Sequence, residues 1–476
     1  MLIPADDHDV RLIENVHPSN YLQPVPADRY HLVVLGGGSA GLVCAAAAAG
    51  LGAKVALVEK SLMGGDCLNF GCVPSKALIA VSKSWHKTSD FAEAMRRVRQ
   101  LRAEISPDDS VDRFKRLGVD IFLGKGRFLD AHSLGINGLR VRFRKAVIAT
   151  GTRPRIPEVA GLKEAGFLTN ETIFQIKALP KRLAILGGGP VGCELGQAFQ
   201  RMGAEVSILQ RGNRLLPHED PEASGVLYQQ LIKDGVMVRL GCLLEQVGIS
   251  GNSRRLLFRT EGRTERLEVE EILVAAGREA NIHEIGLAEA GVESSEEGIV
   301  VNDFLQTSNP DIYAAGDVCL KQKFTHAADA AARIVVQNAL FAGRKRMSRV
   351  VVPWCTYTSP EIAGVGRMTG TIFQKNLSEV HRARLEGEVD GFIKICVAEK
   401  GDKILGATIV APHAGEMINE ITLAMQQGIG LSKLSGVVHP YPSYSEAIRQ
   451  VGDAYQRTKL TPGIKKILEG WFKWVR

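Results

Sequence analysis

The sequence predicts an α/β protein in which one doubly wound, Rossmann-like unit occurs twice and a smaller α+β domain follows. Three observations carry this. First, His31-Leu32-Val33-Val34-Leu35 reads as a buried strand and runs into the turn Gly36-Gly37-Gly38-Ser39-Ala40-Gly41. A helical stretch to Gly50 comes next, then a strand, Lys54–Val58, that ends at Glu59. Second, the pattern returns about 150 residues later. There it is Arg182–Leu186, the turn Gly187-Gly188-Gly189-Pro190-Val191-Gly192, a helix through Glu194 to Met202, and the strand Glu205–Leu209. Third, beyond Val350 short strands give way to helices over Ala414–Gln427 and Ser443–Thr458, a separate α+β block.

Taken in order, residues 1–30 carry Pro4, Pro18, Pro24 and Pro26 and show little periodicity; this extension either wraps the first domain or stays loose. Residues 31–155 form the first unit and 156–283 the second. Residues 284–349 return to the first unit through Tyr313-Ala314-Ala315-Gly316-Asp317 and a helix from about Ala327. Residues 350–476 are the last domain. A charged helical stretch is expected from about Thr88 to Leu117.

Bulk properties bound the function. The chain has 476 residues, 45% hydrophobic and 23% charged, as an ordinary multidomain globular protein does. Its net charge of +7 comes without a basic stripe interleaved with aromatics, so no nucleic-acid partner is expected. There is no apolar run of about 18 residues and no apolar signal core, so a cytoplasmic enzyme is expected. Of eight cysteines only Cys67 and Cys72 form a tight pair, which is not a secreted disulfide framework.

Each glycine turn lets backbone N–H groups at a helix N-terminus approach a pyrophosphate. Gly36, Gly38, Ser39, Ala40 and Gly41 make the first such cradle, and Gly187, Gly189 and Gly192 the second. Glu59, followed by Lys60, ends the second strand of the first unit, where a carboxylate binds ribose hydroxyls. The matching position in the second unit is Gln210, with Arg211 and Arg214 after it. No carboxylate there repels a 2′-phosphate, and arginine attracts one, so NADPH is expected ahead of NADH. Asp317, at a strand end after Gly316, is the kind of acid that bonds a flavin ribityl hydroxyl. Cys67 and Cys72 sit in Gly64-Gly65-Asp66-Cys67-Leu68-Asn69-Phe70-Gly71-Cys72-Val73-Pro74-Ser75-Lys76. Five residues apart, they can close a small disulfide across the first turn of a helix, a two-electron store beside a flavin. A structural disulfide or an incomplete metal site would use the same two residues, although no second CxxC or histidine lies nearby in sequence.

Gly36-x-Gly38-x-x-Gly41, the Cys67–Cys72 segment, Ala149-Thr150-Gly151, Gly187-x-Gly189-x-x-Gly192, Gly277-Arg278 and Tyr313 to Asp317 occur in this order. Over roughly residues 31–460 the chain thereby resembles the flavoprotein disulfide reductases, the family of glutathione reductase, dihydrolipoamide dehydrogenase and mercuric reductase, and most of all the mercuric-reductase type. The resemblance implies FAD on the first unit, NAD(P)H on the second, and a symmetric homodimer formed by the last domain. It implies electrons passing from NADPH via FAD to Cys67–Cys72 and on to an acceptor. A metal ion or small disulfide comes first, with lipoamide or a quinone as alternatives. It makes Cys72 the flavin-proximal sulfur, Cys67 the interchange sulfur, and Lys76 a cation near the flavin paired with Glu194. It places Gly65, Asp66, Thr150, Gly151, Gly277, Arg278, Gly316 and Asp317 around the cofactors, with the helix near Ala327 aimed at the flavin ring.

Two departures stand out. Glutathione- and lipoamide-type members carry a histidine five residues ahead of a glutamate, as an acid–base dyad. Here Tyr441 stands five ahead of Glu446, and His439 lies two residues too early. A phenol of pKa about 10 is a poor base at neutral pH, although it donates a hydrogen bond to a thiolate. Mercuric-reductase-type members resemble this chain in having the tyrosine. His439 is either a core histidine or a displaced base. The vicinal cysteines with which the mercuric type usually ends have no counterpart after Cys396. Elsewhere, Cys44, Cys193 and Cys396 read as core, and His326 as structural. In the final helix Ile464, Ile467, Leu468, Trp471 and Val475 share a face, with Lys465, Lys466, Lys473 and Arg476 elsewhere. Such a stripe either packs on protein or makes a peripheral contact with an anionic membrane.

Overall fold

The computed structural model describes residues 3–86, 89–341 and 343–476. Its contacts divide the chain into two units, one of Met1–Asn213 with Asp234–Val350, the other of Arg214–Lys233 with Val351–Arg476.

The first unit contains the duplicated pattern. A parallel sheet runs in the order Val119–Leu123, Val55–Glu59, Tyr30–Leu35, Leu139–Ile148, with Ile312–Ala314 beyond the last. Leu32–Leu35, Val55–Val58 and Ala146–Ile148 are runs of buried apolar residues, as parallel strands covered on both faces must be. Leu139–Ile148 is long because it serves twice. Its first half closes an antiparallel meander with Gly126–Asp130 and Ser133–Ile136, and its second half joins the parallel sheet. The register aligns Leu35 with Ile148 and Ile148 with Ala314. The segments that follow these residues, from Gly36, Ala149 and Ala315, therefore leave one end of the sheet side by side. The second copy repeats the plan: parallel strands in the order Met237–Arg239, Glu205–Leu209, Arg182–Leu186, Glu271–Val274, and a meander of Leu243–Ser250, Ser253–Thr260 and Arg263–Val269.

Residues 3–30 wrap the first sheet. Asp6 caps the helix Asp7–Val16 by accepting from the His8 and Asp9 amides, and Leu12 and Val16 enter the core. Asp9 is buried and pairs at 2.5 Å with the buried Arg102. Tyr21 donates to the Ile121 carbonyl, and Gln23 bonds Leu123 in both directions. The charged stretch is two helices, Phe91–Ile105 and Val111–Arg116, separated by a 3-10 turn over Ser106–Asp109; its expected start at Thr88 lies outside the described residues.

The second unit is a five-stranded antiparallel sheet in the order Pro353–Thr356, Glu361–Gly366, Ile404–Ala411, Phe392–Val397, Thr371–Asn376. Helices Ala414–Gln426 and Glu446–Thr458 bury their apolar faces in its core. Residues 214–233, with the helix Pro221–Lys233, group with this sheet. Lys394 reaches both oxygens of Asp220 at 3.0 and 3.1 Å, and the Trp354 indole donates to Glu219 at 3.0 Å. The last helix is Pro462–Trp474. Cys44, Cys193 and Cys396 are fully buried.

Candidate functional site

The site grows from the aligned strand ends of the first unit. Helix Ser39–Gly50 begins after Gly38 with no side chain capping its N-terminus, so its first amides remain available to an anion. The turn that feeds it is closed by contact: a methyl group on Gly41 would be driven into the Gly36 carbonyl oxygen, and one on Gly65 would lie 2.6 Å from the Gly38 α-carbon. A backbone cradle that admits no β-carbon fits a pyrophosphate. Glu59 braces the same turn from beneath. One carboxylate oxygen accepts from the Gly37 amide and the other from the Ser61 amide, both at 2.6 Å. Burial pushes the Glu59 carboxyl above its usual range, opposed by those two amides. Lys60 beside it is exposed.

The second cradle repeats this construction. Helix Pro190–Arg201 starts after Gly189 without a side-chain cap, and a methyl on Gly192 would strike the Gly187 carbonyl oxygen. Gln210 accepts from the Gly188 amide at 2.9 Å, a counterpart of the bond from Gly37 to Glu59. Arg211 is exposed at the strand end. Arg214 belongs to the other unit and donates to the Pro217 carbonyl.

The cysteine loop crosses the first cradle. Gly64 in the left-handed region starts the short helix Gly65–Asn69, and Cys72 begins the helix Cys72–Lys83. Cys67 is half-buried and Cys72 exposed. The two thiols hydrogen-bond to each other, and the Thr325 hydroxyl lies 3.4 Å from the Cys72 sulfur. The bond from Cys67 is the largest influence pulling the Cys72 thiol down, to about 6; Thr325 and the Lys76 ammonium add to it, while burial and Asp66 oppose. The same bond, with burial, pushes Cys67 well up. Lys76, on the second helix, pairs with the buried Glu194 at 2.7 Å.

The remaining expected residues link three segments of the first unit. Asp66 pairs with Arg278 at 3.3 Å and accepts from the Asn170 amide at 2.8 Å. Arg278 donates to the Thr152 hydroxyl at 2.7 Å, and that hydroxyl donates to Asp317 at 3.3 Å. Burial raises the Asp317 carboxyl. Thr150 donates to the Asn281 carbonyl at 2.7 Å and accepts on its own carbonyl from the Asn281 amide at 2.9 Å, which ties the segment of Thr150 and Gly151 to that of Gly277 and Arg278. Ala327 is fully buried, two residues inside a helix that starts at Thr325, so Thr325 and not Ala327 meets the sulfur. A polar hydroxyl residue opening that helix was the available signal. Arg102, whose guanidinium donates to the Asn69 carbonyl in the cysteine loop at 2.9 Å, gave no local signal.

In the second unit Tyr441 is 69% exposed, and its hydroxyl lies 3.0 Å from the His381 ring nitrogen. Glu446 bonds Arg449 at 3.0 Å. Tyr441 and Glu446 thus have separate partners, and His381 is a neighbour that the sequence did not suggest. His439 is held between Glu420 at 3.0 Å and the Val437 carbonyl at 3.2 Å.

Comparison with known proteins gives the same lineage at both units. Residues 30–333 match the family described as pyridine nucleotide-disulphide oxidoreductase, and residues 352–451 match its dimerisation domain. The chain is 33% identical over 461 residues to a mercuric reductase of Lysinibacillus sphaericus, covering 92% of this chain and 84% of that one. It is 33% identical over 454 residues to a dihydrolipoyl dehydrogenase of Thermus scotoductus, covering 90% and 98%. Among solved structures it is similar to the Cu(II) complex of the HOCl-induced flavoprotein disulfide reductase RclA from Escherichia coli, with TM-score 0.81 and 28% identity over 88% of this chain and 98% of that one. LpdA from Mycobacterium tuberculosis gives TM-score 0.81 and 27% identity over 90% and 100%. The chain belongs to the pyridine nucleotide-disulfide oxidoreductases, enzymes that use FAD and NAD(P)H.

Proposed function

We propose that this enzyme carries electrons from NADPH to the Cys67–Cys72 pair and from Cys67 to a thiophilic acceptor, a thiol-bound metal ion such as Hg(II) first and a small disulfide second. The observation that carries the proposal is the unequal thiol pair, with Cys72 pulled down to about 6 and Cys67 keeping its proton. Gly36 to Gly41, Gly65, Asp66 and Asp317 would hold FAD, which would supply the two-electron relay between nicotinamide and sulfur. The protein's own part is electrostatic. Cys67 first, then Thr325 and Lys76, favour a thiolate at Cys72, and Glu194 fixes the lysine. Two electrons and one proton convert the disulfide into this thiol–thiolate pair. Cys67 must then lose its proton to reach an acceptor. A soft metal displaces a thiol proton by itself, whereas attack on a disulfide needs the thiolate first. The group expected as the acid–base, Tyr441, is a phenol and a poor base. That balance, with the likeness to mercuric reductases, favours the metal. The disulfide reading draws on His381, whose ring nitrogen lies 3.0 Å from the Tyr441 hydroxyl and is the kind of group that accepts the proton a thiol must lose.

Gln210 and the exposed Arg211 favour NADPH over NADH, since neither repels a 2′-phosphate. The dimerisation-domain match supports a homodimer, with Tyr441 and Glu446 serving the acceptor side. A dithiol that cycles between states suits a reducing compartment such as the cytoplasm. The test is anaerobic reduction with NADPH followed by Hg(II), glutathione disulfide, lipoamide and a quinone, on wild type and Cys67→Ser. Hg(II) reduction is expected to be fastest and to be lost in Cys67→Ser. Full activity in that variant, or a protein that takes up no FAD, overturns the proposal.

A further inference from the structure

We infer that the last helix, Pro462–Trp474, is a docking surface for an anionic lipid bilayer, on which it lies flat. The helix forms without support from the rest of the chain. Thr461 caps it by accepting from the Ile464 amide at 3.3 Å, and Pro462 occupies the first turn, where its missing N–H costs nothing. None of its residues is buried: Ile467 is 72% exposed, Phe472 63% and Trp474 78%. The apolar stripe therefore does not pack on the body of its own chain, which leaves a second copy or a membrane surface to cover it.

The stripe is wider than the sequence suggested. At 100° per residue, an arc of about 160° runs from Trp474 through Ile467, Trp471, Ile464 and Leu468 to Phe472 with no charged residue inside it. Lys465, Lys466, Lys473 and Arg476 occupy the rest of the circumference with Glu469 as the one acid. The Trp471 and Trp474 rings lie 5.2 Å apart, tilted by 44°, within the apolar arc, and indoles favour the headgroup level of a bilayer. Charge decides the occupant. A second copy packed on this face by two-fold symmetry would bring two sets of cations together. An anionic headgroup layer instead pairs with the cations while the acyl boundary takes the apolar arc. Thirteen residues extend only about 20 Å, too short to cross a bilayer core, and among the described residues no helix is long and apolar enough to do so. The helix lies on the surface.

Flotation of the FAD-loaded full chain tests this, with vesicles of phosphatidylcholine alone and of phosphatidylcholine mixed with phosphatidylglycerol. Wild type is expected to float with the mixed vesicles, less at high salt, and at least about tenfold less with phosphatidylcholine alone. Deletion of residues 462–476, and the double change Ile467→Glu with Trp474→Glu, should stay with the soluble fraction while NADPH oxidation in solution is unchanged. Lys465→Glu with Lys466→Glu keeps the apolar arc and should lose the preference for anionic vesicles. Absence of flotation by wild type, or equal flotation by the deletion, overturns the inference. So does a fall in mass on sedimentation when the helix is deleted, which would assign the face to a second copy.

Discussion

One shared proton sets the chemistry of Cys67 and Cys72. A thiol that donates to its neighbour lowers the neighbour's pKa and raises its own, so the pair releases its two protons far apart. Thiolate absorbance of the reduced protein should titrate with a midpoint at about 6. Cys67→Ala removes the largest cause, and the midpoint should climb toward the ordinary thiol value of about 8.5. Cys67→Ser keeps a donor and should stay lower, and Thr325→Val should rise by less than Cys67→Ala. An unmoved midpoint in Cys67→Ala would show that the bond is not the cause. For Cys72 alone, a depressed folded pKa means stabilisation that is complete above the ordinary thiol range and is lost as pH falls through about 6. Gln210 offers a second residue-scale test. The neutral side-chain carbonyl of Gln210 accepts from the Gly188 amide where the Glu59 carboxylate accepts from Gly37. Gln210→Glu should set a carboxylate against a 2′-phosphate and shift the ratio of kcat/KM for NADPH to that for NADH by about tenfold toward NADH, equivalent to about 1.4 kcal/mol. An unchanged ratio would place the 2′-phosphate elsewhere.

Among the elements, the two cradles share a construction and should fail separately. Gly41→Ala forces a methyl onto the Gly36 carbonyl and should give protein that binds FAD poorly. Gly192→Ala does the same at Gly187 and should leave a yellow protein that NADPH reduces slowly. Yellow Gly41→Ala together with colourless Gly192→Ala would reverse the assignment of the two cradles. The helix Asp7–Val16 acts through Arg102 on the backbone of the cysteine loop. Asp9→Ala leaves that guanidinium buried without its carboxylate, and urea unfolding should show a loss of about 3–5 kcal/mol. Both cradles, their strands and the cysteine pair were legible because each is local: a strand, a glycine spacing and a helix follow one another within about 30 residues. The first helix was half legible, since Asp6 is an ordinary cap and Leu12 and Val16 share a face, but the prolines on either side masked it. Arg102, Asn281 and His381 were not legible. Each reaches a site residue from another part of the chain, and nothing in a charged helix says which arginine will turn inward. The helix Pro221–Lys233 was hidden for the same reason, because the pairing of Asp220 with Lys394 spans 174 residues.

At the scale of the molecule, each unit has its own core. The first gathers the strands and helices around both cradles, and the second closes around the antiparallel sheet with Ile393, Ile409, Ile421 and Val451. A ligand stabilises the part of a protein whose folded form it binds, by RT ln(1 + [L]/Kd), or about 2.7 kcal/mol at a hundredfold excess over Kd. All the residues assigned to FAD lie in the first unit. Stripping FAD should therefore speed amide exchange in strands Tyr30–Leu35 and Leu139–Ile148, and in the helix Ser39–Gly50, as that unit opens more often. Strands Phe392–Val397 and Ile404–Ala411 should keep their protection, because their core contains no part of the cradle. Hydrogen exchange read by mass spectrometry on apo and FAD-loaded protein separates the outcomes. Equal loss of protection in both units would mean that they fold as one cooperative body, and FAD would then stabilise the second sheet as strongly as the first. Loss confined to the first unit would mean that the second sheet keeps its fold without the cofactor, so FAD stabilises only the unit that holds it.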